Sequence, residues 1–447
     1  MSKVIKIKKG KDIQLVGVAQ KTTSARTVSS SFAIKPTDFK NLVPKMVVKA
    51  GEEVKAGDVL FHDKTNPDVK FTAPVSGEVA EVVRGERRAI QEVRILADSD
   101  IKYKSFEVPS ALNAENVKAL LLDSGLWAFM VQRPFGSIAD PSVAPKAIHV
   151  SCFDSAPLGV DYNYTLANEG DAFAKGLEAL KALTEGTVHL NVHEKANNAS
   201  LFTHASGVQI NSFSGSHPSG LVGVQIHHID PINKGDVVWT INPQHVVFIG
   251  RLLQTGKLNL SQQVAVAGSD VKNPQYIETI VGVNVEAITT DNVTNDNARY
   301  ISGNVLTGSN VGSKGYLGYF DHMMSIIPEG NEYEFMGWLF PSYPRPTISN
   351  SLPISKFLKK SFVVNTNPHG EERAFVMTGE YEKVLPMDVM PVQLLKSILA
   401  QDLEAMENLG IYEVIEEDLA LCEFVCTSKI DVQKILSDGL DLMAEEG

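Results

Sequence analysis

Cys422 and Cys426 bracket the run Cys422-Glu423-Phe424-Val425-Cys426, and a spacing of four sets both sulfurs on one face of a helix. Paired thiolates of this kind can ligate zinc or iron. A cubane cluster takes four cysteines, however, and the only other cysteine, Cys152, is distant in sequence. Two inert, buried thiols are therefore expected, and no metal site is assigned. The histidines form no metal motif: His189 and His193 lie in a stretch that alternates as a strand, and His227-His228 would point to opposite faces of a strand. A phosphate loop, a G-x-G-x-x-G turn and a G-x-S-x-G elbow are all missing, so no catalytic residue is assigned either. The stretch best suited to a ligand is Trp127-Ala128-Phe129-Met130-Val131-Gln132-Arg133-Pro134-Phe135-Gly136. An aromatic head could stack there while Arg133 or a backbone N–H holds a carbonyl oxygen. The same pattern also reads as core aromatics beneath a loop.

Several elements must position these groups. Residues 47–88 contain two echoing halves, each pairing a short strand with a glycine turn at Gly51, Gly57 or Gly77. Val54, Val59 and Leu60 in one half, and Val75, Val79 and Val82 in the other, should line one buried face. The pattern resembles the biotinyl/lipoyl carrier fold over residues 41–100. Carriers of that kind present a modified lysine on the hairpin between their halves. Lys64 lies at about that place, but its neighbours depart from the carrier pattern, and a solvated lysine is expected. Residues 1–40 read as an arm with short strands.

From 101 to 250 the pattern of helix, strand, helix, strand indicates an α/β domain with a parallel sheet. Asn113 should cap a helix ending near Gly125, the 147–151 and 187–192 stretches read as strands, and Glu169 to Leu183 reads as a helix. The run 220–226 continues this region. Residues 237–300 read as a β-rich, β-grasp-like module, with strands at 237–241, 264–267, 276–280 and 281–288. Residues 301–380 read as irregular and β-rich, and 381–447 as a C-terminal helical bundle. There Pro391 starts a helix whose face carries Val392, Leu395, Leu399, Leu403 and Met406 as far as Gly410, and two more helices follow over 416–426 and 431–443. The fold class is thus a multidomain α+β and α/β chain.

A chain of 447 residues with 43% hydrophobic and 21% charged residues is ordinary for a globular protein. It has no apolar run of about 18 residues and no signal-peptide core, so a cytoplasmic protein without a transmembrane helix is expected. The net charge of −12 argues against nucleic acid as a partner. That charge is unevenly placed. Residues 1–26 carry seven Lys/Arg against Asp12, whereas 402–447 carry thirteen acids against Lys429 and Lys434. The basic stretch could lie on an acidic partner or on anionic headgroups, or be simply solvated.

Long motifs then resemble one family. They are His217-Pro218-Ser219-Gly220-Leu221-Val222-Gly223, Val238-Trp239-Thr240-Ile241-Asn242, Ile249 to Leu258, Ile301-Ser302-Gly303, Tyr316-Leu317-Gly318, Pro328-Glu329-Gly330 with Glu334-Phe335-Met336-Gly337-Trp338, and Glu416 to Cys422. Together they resemble the A subunits of the bacterial Na⁺-translocating NADH:quinone oxidoreductases, over nearly the whole chain. The SLBB-type module at 237–300 is part of that resemblance. A more distant likeness joins the family to the NADH- and flavin-binding subunit of respiratory complex I and to the C subunit of the Rnf electron-transfer complex. Those relatives hold flavin on a glycine-rich loop, where this chain has Ser124-Gly125-Leu126-Trp127-Ala128-Phe129. They also carry cysteine clusters that are reduced here to Cys422 and Cys426.

The resemblance therefore implies a peripheral subunit on the cytoplasmic face of the bacterial inner membrane, within a six-subunit complex, carrying no flavin, iron–sulfur centre or NADH of its own. It implies interaction with ubiquinone and docking on the membrane-embedded B subunit. It makes the chain part of an enzyme that transports sodium, with the isolated chain inactive. The residues assigned to quinone are Trp127, Phe129, Arg133 and Phe135, which replace the cofactor loop of the relatives. The competing readings are a purely structural role and an Rnf-type C subunit.

Overall fold

Alternating apolar residues at Ile5, Ile7, Ile13, Leu15 and Ala19 give the first twenty residues one side to bury, and that side decides where they go. In the computed structural model, which describes residues 4–25, 29–196, 201–331, 346 and 361–446, these residues are not a free arm. Strand β1 (Val4–Lys6) edges the sheet of the α/β domain. Strand β2 (Gln20–Ser24) edges a second, six-stranded sheet, and β3 (Ser31–Ile34) belongs to the sandwich. The motif residues 334–338, with much of the expected irregular region, lie outside the described residues.

The sandwich is completed by β4 (Pro44–Met46), β5 (Glu53–Val54), β6 (Val59–Asp63), β7 (Lys70–Thr72), β8 (Gly77–Arg84) and β9 (Ile90–Ala97). They form two sheets, β3-β9-β8-β5 and β4-β6-β7. Val54, Leu60, Val75 and Val79 are buried between them, and Val59 and Val82 are half-buried. Gly77 has φ +146°, and an added Cβ would lie 1.8 Å from the Leu96 carbonyl oxygen, so only glycine fits there. Lys64 is exposed on the β6–β7 turn.

The α/β domain runs through α1 (Ala114–Ser124), β10 (Val131–Arg133), β11 (Ser137–Ile138), β12 (Ala147–Ser151), α2 (Tyr162–Thr165), α3 (Gly170–Ala182), β13 (Thr187–His193), β14 (Gln209–Ser214), α4 (Val222–Ile229), β15 (Val238–Thr240) and α5 (Pro243–Thr255). Asn113 accepts from the Asn116 N–H and caps α1, and Gly125 ends it in the left-handed region. The sheet order is β1-β14-β13-β12-β15-β10-β11. The first five strands run parallel, and β10 is antiparallel to β15 and to β11.

Two expectations change here. Val238–Thr240 lies in this sheet beside β12, not in a downstream β-rich module, and a 13-residue helix follows it. Asn242 at the cap, Pro243 at the first turn and Gly256 at the end are the local signals that fix α5. The 220–226 run opens helix α4, so His227 and His228 sit in its last turn and not on a strand.

The six-stranded sheet comprises β16 (Ser261–Ala267), β17 (Gln275–Ile280), β18 (Ala298–Ser302), β19 (Ser309–Asn310) and β20 (Met323–Pro328) with β2, in the order β19-β18-β20-β16-β17-β2. The expected strand at 281–288 is instead a turn leading into α6 (Val285–Thr289), because the Asn284 side chain caps a helix there.

The chain closes through α7 (Tyr381–Val384), α8 (Pro391–Leu399), α9 (Leu403–Asn408), α10 (Ala420–Val425) and α11 (Val432–Glu446). The single helix expected over 391–410 is two. Gln401 takes φ 55° and the Asp402 side chain caps a new helix. The break leaves Leu399 exposed, although Val392, Leu395 and Met406 are buried as expected. The 416–419 stretch is a 3₁₀ turn before α10.

Helices α3 and α5 pack at glycine contacts. A Cβ added at Gly250 would lie 1.7 Å from the Ala172 carbonyl oxygen, and one at Gly176 would lie 2.1 Å from that of Val246. Gly250→Ala should therefore lower stability by about 1–3 kcal/mol through overpacking, read as a lower thermal midpoint. Gly170→Ala meets nothing within 4 Å and should leave the midpoint unchanged or slightly raised.

Candidate functional site

The segment after α1 is positioned from both sides. Thr72 on β7 donates through Oγ1 to the Ser124 carbonyl at 2.9 Å. A Cβ at Gly125 would sit 2.6 Å from that hydroxyl, so the helix end is held tight against the sandwich. Residues 126–129 then form a fully buried 3₁₀ turn leading into β10. Trp127 donates Nε1–H to the Ala139 carbonyl at 2.7 Å and meets the Trp239 ring edge-on at 5.3 Å. Its polar atom is satisfied and its ring is enclosed.

Phe129 reaches a different neighbourhood. Its ring stacks on Tyr319 at 4.3 Å and lies 4.1 Å from the His245 ring, with Phe248 and Phe320 around it. His245 from α5 and His322 just before β20 lie 4.9 Å apart in this aromatic sheath. Burial depresses both imidazoles, His322 down to about 3 and His245 well below the usual histidine range, with His322 adding to the latter. Both rings are therefore neutral near pH 7, each with one N–H donor and one lone pair. His322 donates through Nδ1–H to Gln262 Oε1 at 2.8 Å. Both ring nitrogens of His245, His322 Nε2 and Gln262 Nε2 are buried without a protein partner. Orphaned polar atoms are rare in a folded interior and mark a place where another polar group belongs.

Arg133 makes a third kind of contact. Its side chain is 1% exposed. Nη1 donates to Asp418 Oδ2 at 2.5 Å and Nη2 to Glu417 Oε1 at 2.7 Å. Asp418 Oδ2 also accepts from the Ile415 N–H. Gly223, in the first turn of α4, lies against this pair: a Cβ there would fall 2.3 Å from Asp418 Oδ1 and 2.5 Å from Arg133 Nη1. The guanidinium is thus engaged by the C-terminal segment. Burial pulls its pKa down, but the two carboxylates outweigh burial and raise it. Phe135 is half-buried with φ 80° and meets Tyr412 edge-on at 6.2 Å.

The four residues picked from the sequence therefore go to three places: Trp127 to the sheet core, Phe129 to the histidine sheath, and Arg133 and Phe135 to the junction with the C-terminal segment. Sequence reasoning passed over His245, His322, Glu417 and Asp418. His227 was also missed as a junction residue; its Nδ1–H donates to Glu413 Oε2 at 2.6 Å and its Nε2 accepts from the Asp388 N–H. The one signal available was the acidic run at 416–418, which needs a buried cation nearby. Cys422 and Cys426 are buried, and burial raises the Cys422 thiol, so Cys422 is not a poised thiolate. Among the described residues, no three His, Cys, Asp or Glu side chains gather to hold a metal ion.

Comparison with known proteins decides the family. Family models match residues 5–98 as the NqrA N-terminal barrel-sandwich hybrid domain, 112–258 as the NqrA second alpha/beta domain, and 263–313 as the NQRA C-terminal domain. The A subunit of the Na(+)-translocating NADH-quinone reductase of Yersinia pseudotuberculosis is 38% identical over 99% of this chain and 100% of its own. That of Neisseria meningitidis serogroup B is 37% identical with the same coverage. The chain belongs to this NqrA family. Membership makes it part of an oxidoreductase complex. An air-oxidised NAD⁺-reducing [NiFe]-hydrogenase superposes over 76% of this chain and 62% of its own at 12% identity and a TM-score of 0.40, too loosely to carry an argument. Among the described residues, no helix is long and apolar enough to cross a membrane.

The Glu417 carboxyl is pushed up to about 7, by burial first, against the pull of Arg133, with Asp418 adding to the rise. Its side chain is 36% exposed, so solvent screens the effect. A carboxyl with a raised folded pKa binds its proton more tightly when folded. Its stabilising contribution is complete below about pH 4.5 and lost as pH rises through about 7. The thermal midpoint of the wild type should therefore fall relative to Glu417→Gln across that window, as followed by melting at a series of pH values.

Proposed function

We propose that this chain is the peripheral, cytoplasm-facing subunit of a Na⁺-translocating NADH-quinone reductase, and that it docks on the membrane subunits and interacts with quinone without a redox cofactor of its own. The observation that carries the quinone reading is the orphaned polar set of His245, His322 and Gln262 inside the sheath of Phe129, Phe248, Tyr319 and Phe320. A quinone head is flat and apolar with two carbonyl acceptors. Stacked rings match its faces, and an imidazole N–H and a carboxamide N–H match its oxygens. Of the four residues picked from the sequence, Phe129 lines this region, while Trp127, Arg133 and Phe135 hold the segment that carries it. Their segment fills the turn where the more distant relatives carry a flavin loop, which supports a chain without flavin. NADH oxidation belongs to other subunits, and the isolated chain should catalyse nothing.

A second reading, a purely structural subunit, is favoured by the complete enclosure of Trp127 and Arg133 within the chain. Calorimetric titration of the full chain with a short-tailed ubiquinone separates the two. Saturable one-to-one heat, weakened at least tenfold by Phe129→Ala and by His245→Leu through lost stacking and a lost hydrogen bond, supports quinone interaction. No heat, or heat unchanged by both substitutions in folded protein, leaves the structural role.

A further inference from the structure

Among the described residues, strand β1 pairs only with β14, which leaves its outer side an open sheet edge. Ile7 turns inward and is 3% exposed, which by strand alternation turns Val4, Lys6 and Lys8 outward. Val4 is 44% exposed, Lys6, Lys8 and Lys9 are exposed, and Lys11 is half-buried. Among the described residues, none of these four lysines makes an ion pair.

The surrounding charges do not neutralise them. Gly10 donates its N–H to the Lys383 carbonyl, but the Lys383 ammonium is already paired with Glu380 at 2.6 Å. At the neighbouring end of β13, Glu194 is followed directly by Lys195. Asp12 is the only acid within the stretch, and its Oδ1 accepts from the His217 N–H at 2.8 Å. A single charge suffices to protect a sheet edge from pairing. Four lysines within six residues against the one carboxylate of Asp12 leave a local net charge of 4 − 1 = +3, on a chain of net charge −12, which exceeds that need.

We propose that the β1 edge and the turn after it, through Lys6, Lys8, Lys9 and Lys11 with Val4, form a contact surface for the anionic phosphate headgroups of a lipid bilayer. The chemistry favours lipid over an acidic protein patch. The cations are all lysines, compact and mobile point charges, with no arginine fork set for bidentate carboxylates. They lie along an open row and not in a pocket, which suits a laterally continuous anionic surface. An acidic molecule is repelled by such a surface everywhere else, so this patch would also orient the chain on the membrane. The proposal does not depend on the quinone reading.

The test is co-sedimentation of the full-length chain with vesicles of phosphatidylglycerol and phosphatidylethanolamine, and with vesicles of phosphatidylcholine alone. Binding to the anionic vesicles only, reversed by high salt, is expected. A lysine near an anionic surface is worth about fivefold in partitioning. The K6Q/K8Q/K9Q/K11Q chain should therefore bind at least tenfold more weakly with an unchanged thermal midpoint, whereas replacing the four by arginine should preserve binding. Should Lys11→Gln disturb the fold, the triple K6Q/K8Q/K9Q chain, confined to exposed positions, should show the same loss. No preference for anionic vesicles, or binding indifferent to the glutamine substitutions, overturns the proposal. So does weakened assembly of the glutamine variant with the other subunits in detergent with no change in vesicle binding, which would assign the lysines to an acidic protein partner.

Discussion

A guanidinium buried to 1% exposure is tolerable only when its charge is matched at hydrogen-bond distance, and in this chain the match is supplied almost three hundred residues away, at Asp418 and Glu417. Much of the architecture follows from that constraint. Strand β10 must end where Arg133 can reach the 416–419 turn. Helix α4 must carry a residue without a side chain, Gly223, in its first turn, because the ion pair occupies the space a Cβ would take. The C-terminal helices must fold back so that α11 packs on that turn and, through Gly439, against Ile398 of α8. Removing one partner of such a pair leaves an uncompensated buried charge, a cost of about 3–5 kcal/mol. The pair thus specifies a docking geometry between the α/β domain and the C-terminal segment, whatever its net contribution to stability.

The same stretch of chain connects this junction to the functional reading. Four residues upstream of Arg133, Phe129 lies between His245 of α5 and Tyr319 of the loop before β20. Fixing Arg133 therefore also fixes one wall of the histidine sheath. The sheath lies where the α/β domain meets the six-stranded sheet, and Phe39 from beside the sandwich reaches Tyr319 at 4.8 Å. A ligand or partner that altered the sheath would act on three parts of the molecule at once.

What the sequence shows depends on how local each cause is. The sandwich was legible, because valine alternation and Gly77 act within a few residues. So were α1 and α3, because caps and periodicity are short-range signals. The pattern misled wherever a local cap competed with apolar content: Asn242-Pro243 opens α5, Asn284 opens α6, and Asp402 splits the helix expected over 391–410. In the candidate site, Trp127, Phe129 and Arg133 stand out in the sequence by residue type, but their neighbours come from residues 239, 245, 319, 417 and 418. No spacing rule links positions so far apart. The orphaned nitrogens of His245 and His322 are visible only once burial is known, since an isolated histidine in a sequence says nothing about its partners.

Hydrogen–deuterium exchange on the full chain, comparing wild type with Arg133→Met, tests most directly whether the buried pair ties the two regions together. Exchange should quicken across the 416–446 segment and the first turn of α4, and stay unchanged in the sandwich at 31–97. Unaltered protection over 416–446 in a folded Arg133→Met chain would contradict the account, and would mean that apolar packing alone holds the C-terminal helices in place.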